Sequence, residues 1–101
     1  MFKGNEIFYR DVLGAVADCA GMEEQRILHG RDEESSDVRV ALVKLLAERM
    51  TDTQISAVMG ITRRGIHYIR SSYEAKRGKW VVRSIVEAVG KRMGSNPLQG
   101  K

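Results

Sequence analysis

The sequence lacks the residues that stabilise small secreted proteins and membrane proteins. One cysteine in 101 residues cannot form an internal disulfide, which excludes the disulfide-rich secreted folds. No apolar run approaches the roughly 18 residues that a membrane-spanning helix requires. Charges also interrupt the amino-terminal stretch, where a secretory signal would need a continuous apolar segment. We therefore expect a cytoplasmic protein without a membrane segment.

Proline is almost absent, and this scarcity argues against a turn-rich β sandwich. The chain has one proline and ten glycines, a balance that suits helices with glycine at their ends. Hydrophobic residues make up 43% of the chain and charged residues 30%, which excludes wholesale disorder. A chain of this length can bury one modest core. We expect one helical domain over residues 1–93 and a flexible tail over 94–101.

Apolar residues recur at helical spacing through most of the chain and predict a small all-α bundle of about six helices. The first helix is expected over residues 5–20, with Gly21 ending it, and a short second helix is expected to end at Gly30. Cys19 is predicted to be a small buried side chain on the first helix.

The third and last helices are predicted from their apolar stripes. Ser35 or Ser36 is expected to cap a central helix whose stripe runs from Val38 to Met50. The preceding segment, 31–37, is predicted to be a polar connector. The last helix is expected to turn five apolar residues toward the core: Trp80, Val81, Ile85, Ala88 and Val89.

Charge is distributed unevenly along the chain. Residues 1–50 carry seven Lys or Arg against ten Asp or Glu, whereas residues 62–83 carry seven against one. The formal net charge of +4 therefore comes from a local basic segment on an otherwise mildly acidic chain. Such asymmetry is typical of a protein with a polyanionic partner, and an ordinary solvated face is the alternative.

Residues 52–71 have the spacing of a helix-turn-helix. Ser56 is the small residue that lets two helices approach closely, and Gly60 can adopt the positive φ that the turn requires. Thr51 and Gln54 form a capping box at the start of the first helix, and Thr62 can cap the second. The apolar positions of the motif are Ile55, Met59, Ile61, Ile66 and Ile69.

The second helix of this motif, expected from Arg63 to about Lys76, carries the predicted DNA-binding residues. Arg63 and Arg64 lie in its first turn, where an arginine can bind a guanine edge in bidentate fashion for about 1–3 kcal/mol of discrimination. Hydroxyls and the helix amino terminus suit phosphate oxygens. The later basic residues are expected to contact flanking phosphates. The full predicted set is Thr62, Arg63, Arg64, His67, Tyr68, Arg70, Ser71, Lys76, Arg77 and Lys79.

The stretch from Val12 to about Tyr73 resembles the C-terminal DNA-binding domain of the bacterial replication initiator DnaA, a Trp-repressor-like helix-turn-helix fold. The resemblance is carried by DVLGAVADCAGMEEQRIL, by DVRVALVKLLAERMT and by ISAVMG. It implies sequence-specific binding of double-stranded DNA, in replication initiation or transcription regulation. The helix-turn-helix itself is expected at about 52–75.

The chain also departs from that family in ways that limit what the resemblance implies. The family's recognition helix opens with Asp-His-Thr-Thr, whereas this chain has TRRG at 62–65. The family's basic connector is replaced by the acidic segment 31–37. GITRRG lacks the Lys-Ser/Thr of a phosphate-binding loop, so no ATPase module is indicated. These features suggest a free-standing DNA-binding domain, as found in phage, mobile-element or regulatory proteins.

Three other functions are weighed against DNA binding. The first is a protein-interaction or oligomerisation module, in which Ile7, Phe8, Val82 and Val86 dock a partner or a second copy. The second is binding of single-stranded nucleic acid or RNA by Trp80, Tyr68 and Tyr73. An enzyme is not expected, since no acid, base or nucleophile converges. Isolated Cys19, His29 and His67 predict neither a metal site nor a cofactor, and a homodimer on DNA is one possible assembly.

Overall fold

The computed structural model describes residues 2–93 and folds them into helices joined by short turns, with no strand in that part of the chain. The all-α bundle predicted from the sequence is confirmed. The flexible tail predicted over 94–101 lies outside the described residues. The helices are α1 (Phe2–Ala20), α2 (Glu24–His29), α3 (Glu33–Leu46), α4 (Asp52–Met59), α5 (Arg63–Ser71), α6 (Tyr73–Lys76) and α7 (Trp80–Arg92).

Helix α3 is the central element of the bundle. It packs against α1, α2, α5, α6 and α7, and its apolar stripe is buried along its whole length. Val38, Leu42 and Leu46 are inaccessible to solvent. Because removing these side chains from water is the main favourable contribution to folding, α3 is the core onto which the other helices dock.

Helix α3 begins earlier than predicted. Its amino-terminal cap is Asp32, whose carboxylate accepts from the Ser35 backbone N–H at 3.2 Å and from the Ser35 hydroxyl at 2.8 Å. The expected cap at Ser35 or Ser36 is therefore wrong, and most of the 31–37 connector is helical. Glu33 and Glu34 explain the early start, because acidic residues in the first turn favour the positive end of the helix dipole.

Three apolar side chains that were predicted to be buried are exposed. Helix α7 buries Val82, Ile85 and Val89, and Trp80 lies two residues before Val82, on the opposite side of the helix. Trp80 is therefore 79% exposed, although the sequence predicted it in the core. Ala88 of the same helix is also exposed, and so is Cys19 in the last turn of α1.

No helix among residues 2–93 is both long enough and apolar enough to cross a membrane.

A buried carboxylate joins α3 to the junction between α6 and α7. The side chain of Asp37, on α3, is 5% exposed and lies 2.9 Å from Lys76 Nζ and 2.8 Å from Lys79 Nζ. Glu33, one turn earlier, approaches Lys79 at 2.6 Å. Burial acts to raise the pKa of Asp37, but the two lysines outweigh it and hold that pKa below its ordinary value.

We expect Asp37→Asn to lower the free energy of unfolding by about 3 kcal/mol, the low end of the range for removing one partner of a buried ion pair. Both lysines keep some access to water, which limits the loss. Urea unfolding at neutral pH measures it. The matched control is Glu74→Gln, since Glu74 is exposed and its contact with Arg77 is long, at 3.8 Å. That change should lower the free energy of unfolding by less than about 0.5 kcal/mol.

The ion pairs of Asp37 should also make the stability of the protein depend on pH. A carboxylate whose pKa is depressed by folding adds stability above its unfolded pKa, and this stability is lost as the pH falls through the folded value. Wild-type stability should therefore decline below about pH 4, and the Asp37→Asn variant should show a smaller decline. Equal acid sensitivity of the two proteins would contradict this role of Asp37.

Candidate nucleic-acid interface

Helix α4 begins at the capping box predicted from the sequence. The Gln54 backbone N–H donates to Thr51 Oγ1 at 3.2 Å, and the Thr51 backbone N–H donates to Gln54 Oε1 at 2.9 Å. Two amide groups that the helix leaves without a partner are thus satisfied by side chains. The start of the helix pair is thereby fixed.

The turn between α4 and α5 has the predicted backbone. Gly60 adopts φ 72°, in the left-handed region, and Thr62 caps α5 by accepting from the Gly65 N–H at 3.0 Å. Gly65 is also required sterically, because a Cβ there would lie 2.8 Å from the Ile61 side chain. The small residue at position 56 has a second role that spacing did not reveal: the Ser56 hydroxyl donates to the Ile61 carbonyl.

The inner face of the helix pair packs onto the rest of the bundle. Ile55 and Ile66 are inaccessible to solvent, and Met59 is buried. Ile61 and Ile69 are half-buried against the same core. Helix α5 packs on α3, and α4 contacts α1. All the apolar positions of the predicted motif therefore face inward.

The recognition helix is shorter than expected. Helix α5 ends at Ser71, and Ser72 forms the junction to the single turn α6. The predicted helix to about Lys76 is wrong in this respect. The hydroxyl and the backbone N–H of Ser72 both donate to the Tyr68 carbonyl, at 2.9 and 3.1 Å, where the helix ends.

The outward face of α5 carries most of the predicted DNA-binding residues. Tyr68 is 73% exposed. Positions three and four apart on a helix share a face, so these side chains form one continuous surface. The exposed members of the predicted set on α5 and its cap are Thr62, Arg63, Arg64, His67, Tyr68, Arg70 and Ser71.

One of these residues, Arg70, is engaged within the helix pair. Its Nε and Nη2 atoms lie 2.9 and 3.0 Å from the two carboxylate oxygens of Asp52. His67 Nδ1 lies 3.7 Å from the same carboxylate. The hydrogen bond from Arg70 is the main cause of the lowered pKa of Asp52. This bidentate pair joins the start of α4 to the end of α5, a structural role for Asp52 that sequence reasoning missed.

The remaining basic residues of the predicted set are also engaged. Lys76 and Lys79 bind Asp37, and Lys79 binds Glu33 as well. Arg77 makes a longer, exposed contact with Glu74. The acidic start of α3 thus neutralises the end of the basic segment. For Lys76 and Lys79 to contact phosphates as predicted, their ammonium groups would have to leave these carboxylates.

Arg63, Arg64 and Arg83 differ from the other cations of the basic segment. Among the described side chains, no carboxylate lies within ion-pair distance of these three guanidinium groups, and all three residues are exposed. Arg63 and Arg64 are adjacent, in the first turn of α5 directly after its threonine cap. Within the basic segment, two of the three cations without a carboxylate partner therefore lie at the amino-terminal tip of α5.

No group of three or more His, Cys, Asp or Glu side chains within the described part of the chain is arranged to hold a metal ion. Comparisons with protein-family models, with curated proteins and with solved structures gave no significant match.

The geometry of the turn predicts a stability cost for a side chain at residue 60. A Cβ at Gly60 would meet no atom within 4 Å, so Gly60→Ala isolates the strain of the left-handed backbone. We expect a loss of about 1–2 kcal/mol in the free energy of unfolding, measured in urea. Gly78→Ala is the control, because Gly78 also has open space but lacks a positive φ. Equal effects of the two substitutions would contradict the strain argument.

Proposed function

We propose that this protein binds double-stranded DNA in a sequence-specific manner through the helix-turn-helix formed by α4 and α5. The observation that carries the proposal is the contrast among the cations of the basic segment. Arg70, Lys76 and Lys79 are neutralised within the fold, whereas Arg63 and Arg64 are exposed without a carboxylate partner. Those two arginines lie at the end of the helix that enters the major groove in proteins of this type.

The chemistry of this tip suits DNA. A guanidinium can donate two parallel hydrogen bonds to guanine O6 and N7, which distinguishes a G·C pair from the other pairs in the major groove. The hydroxyls of Thr62 and Ser71 can donate to phosphate oxygens. Tyr68 offers a ring to a thymine methyl or a hydroxyl to a phosphate. Base contacts and backbone contacts are thus available on one helix face.

The resemblance of residues 12–73 to the DNA-binding domain of DnaA supports the same function and adds a biological setting. We propose a cytoplasmic role in replication initiation or transcription regulation, consistent with a phage or mobile-element protein. The target sequence is expected to differ from that of the family, because the first turn of α5 carries two arginines and a glycine, Gly65, in place of the family's residues.

The protein-interaction alternative retains some support from α1. Ile7 is 59% exposed. Phe8 is half-buried, and its ring centroid lies 5.0 Å from the Arg49 guanidinium. Val82, which this alternative also invoked, is inaccessible to solvent and cannot touch a partner. Val86 of α7, the fourth residue of this alternative, is half-buried, so an interaction surface would consist of α1 and that residue. Duplex binding remains the better-supported function.

The test begins with selection of bound sequences from a random duplex pool, followed by titration of the selected duplex and a scrambled one. We expect Arg64→Ala to lose about 1–3 kcal/mol of discrimination between the two, because a bidentate base contact disappears. Arg10→Ala is the matched control: Arg10 is also exposed, but it lies on α1. Its removal should leave discrimination unchanged.

Salt dependence separates base contacts from phosphate contacts in the same titrations. The logarithm of the binding constant should fall by about 0.9 for each tenfold rise in salt and each phosphate contacted. If the protein binds no duplex in these titrations at low salt, the proposal of duplex binding is refuted. Equal losses on selected and scrambled DNA for Arg64→Ala would refute the assignment of base contact to this residue.

A further inference from the structure

Trp80 is the least expected surface residue of the molecule. It is the only tryptophan in the chain and lies in the first turn of α7 with 79% of its surface exposed. The opposite face of α7 supplies Val82 and Ile85 to the core. A solvated indole forgoes the largest hydrophobic gain that any side chain offers, and exposed aromatic residues of this kind commonly mark contact surfaces.

The cations near Trp80 in the sequence are Arg77, Lys79 and Arg83, and one of them, Arg83, lacks a carboxylate partner. Arg83 follows Trp80 by three positions on the same helix face and has no carboxylate within ion-pair distance among the described side chains. Arg77, three positions before Trp80, makes a long and exposed ion pair of 3.8 Å with Glu74. Lys79 is held by carboxylates of α3 and adds little. Glu87 lies one turn beyond Arg83 and is not within ion-pair distance of it.

The other two aromatic residues of the single-strand hypothesis, Tyr68 and Tyr73, are placed differently from Trp80. The ring of Tyr73 packs on the core and is covered by Lys44, whose Nζ lies 4.9 Å from the ring centroid. Tyr68 belongs to the outward face of α5. Trp80 is therefore a separate aromatic feature, carried by α7 together with Arg83.

We propose that Trp80 and Arg83 form a binding site for single-stranded DNA, in which the indole stacks on an unpaired base and the guanidinium contacts a neighbouring phosphate. Base faces in a duplex are covered by adjacent pairs, so a ring on a convex helix surface can stack only on an unpaired base. An apolar protein partner would need apolar neighbours, whereas the next exposed residues on this face are charged. The proposal goes beyond duplex binding and does not depend on it.

The single tryptophan allows a direct test. Intrinsic fluorescence of the full chain is followed while a short oligodeoxythymidine strand is added at low salt. We expect the free protein to emit as a solvated indole, and the strand to cause saturable quenching that higher salt reverses. A blue-shifted emission in the free protein, or no quenching at saturating strand, would overturn the proposal.

Variants locate the site, with binding measured by the anisotropy of a labelled strand. We expect Trp80→Ala to weaken binding about tenfold or more and Trp80→Phe to retain most of it, because base–aromatic stacking tolerates any ring. Arg83→Ala should weaken binding and reduce its salt dependence. Ile7→Ala removes another exposed apolar side chain and should change nothing. Equal losses for Trp80→Ala and Ile7→Ala would overturn the site.

A double substitution of Arg63 and Arg64 by alanine distinguishes this site from the α5 surface. Single-strand binding should persist in that variant even if duplex binding is lost, so the two proposals can fail separately. Loss of single-strand binding to the same extent as in Trp80→Ala would contradict a distinct site on α7. Tighter binding of oligouridine RNA than of oligodeoxythymidine would contradict the assignment to DNA.

Discussion

Ion pairs between residues far apart in the sequence determine which cations of the basic segment remain available to a partner. Asp52 holds Arg70 across the helix pair, and Asp37 of α3 holds Lys76 and Lys79 at the junction between α6 and α7. Each pair also serves the fold, because it fixes one helix against another. The effect within the basic segment, residues 62–83, is selective: the cations that remain without a carboxylate partner lie at the first turn of α5 and near the start of α7.

The helix pair that presents this charge is specified by short-range chemistry. A capping box starts α4, a left-handed glycine ends it, and a threonine starts α5. The Ser56 hydroxyl then satisfies the carbonyl of Ile61 inside the turn. Each of these interactions spans five residues or fewer, so the turn depends little on distant parts of the chain. The core face of both helices adds the packing that orients them on α3.

The range of these interactions explains what could be predicted from the sequence. The all-α class, the capping box and the Gly60 turn follow from local patterns. The ion pairs of Lys79 could not be predicted, since its partners lie more than forty residues earlier and pairing depends on the docking of α7 on α3. The docking of α7 also determines which side of this helix faces the core, which the apolar periodicity does not fix. As a result Val82 is buried and Trp80 is exposed. The polar composition of residues 31–37 predicts a loop, because composition does not reveal that Asp32 caps a helix there.

The central claim is that the tip of α5, and not the neutralised end of the basic segment, contacts duplex DNA. Chemical-shift changes of the backbone amides on addition of a selected duplex test this most directly. The account predicts the largest changes over residues 62–68 and small ones at Lys76 and Lys79. Changes concentrated on α1 around Ile7, or at Lys76 and Lys79 with none over 62–68, would contradict it.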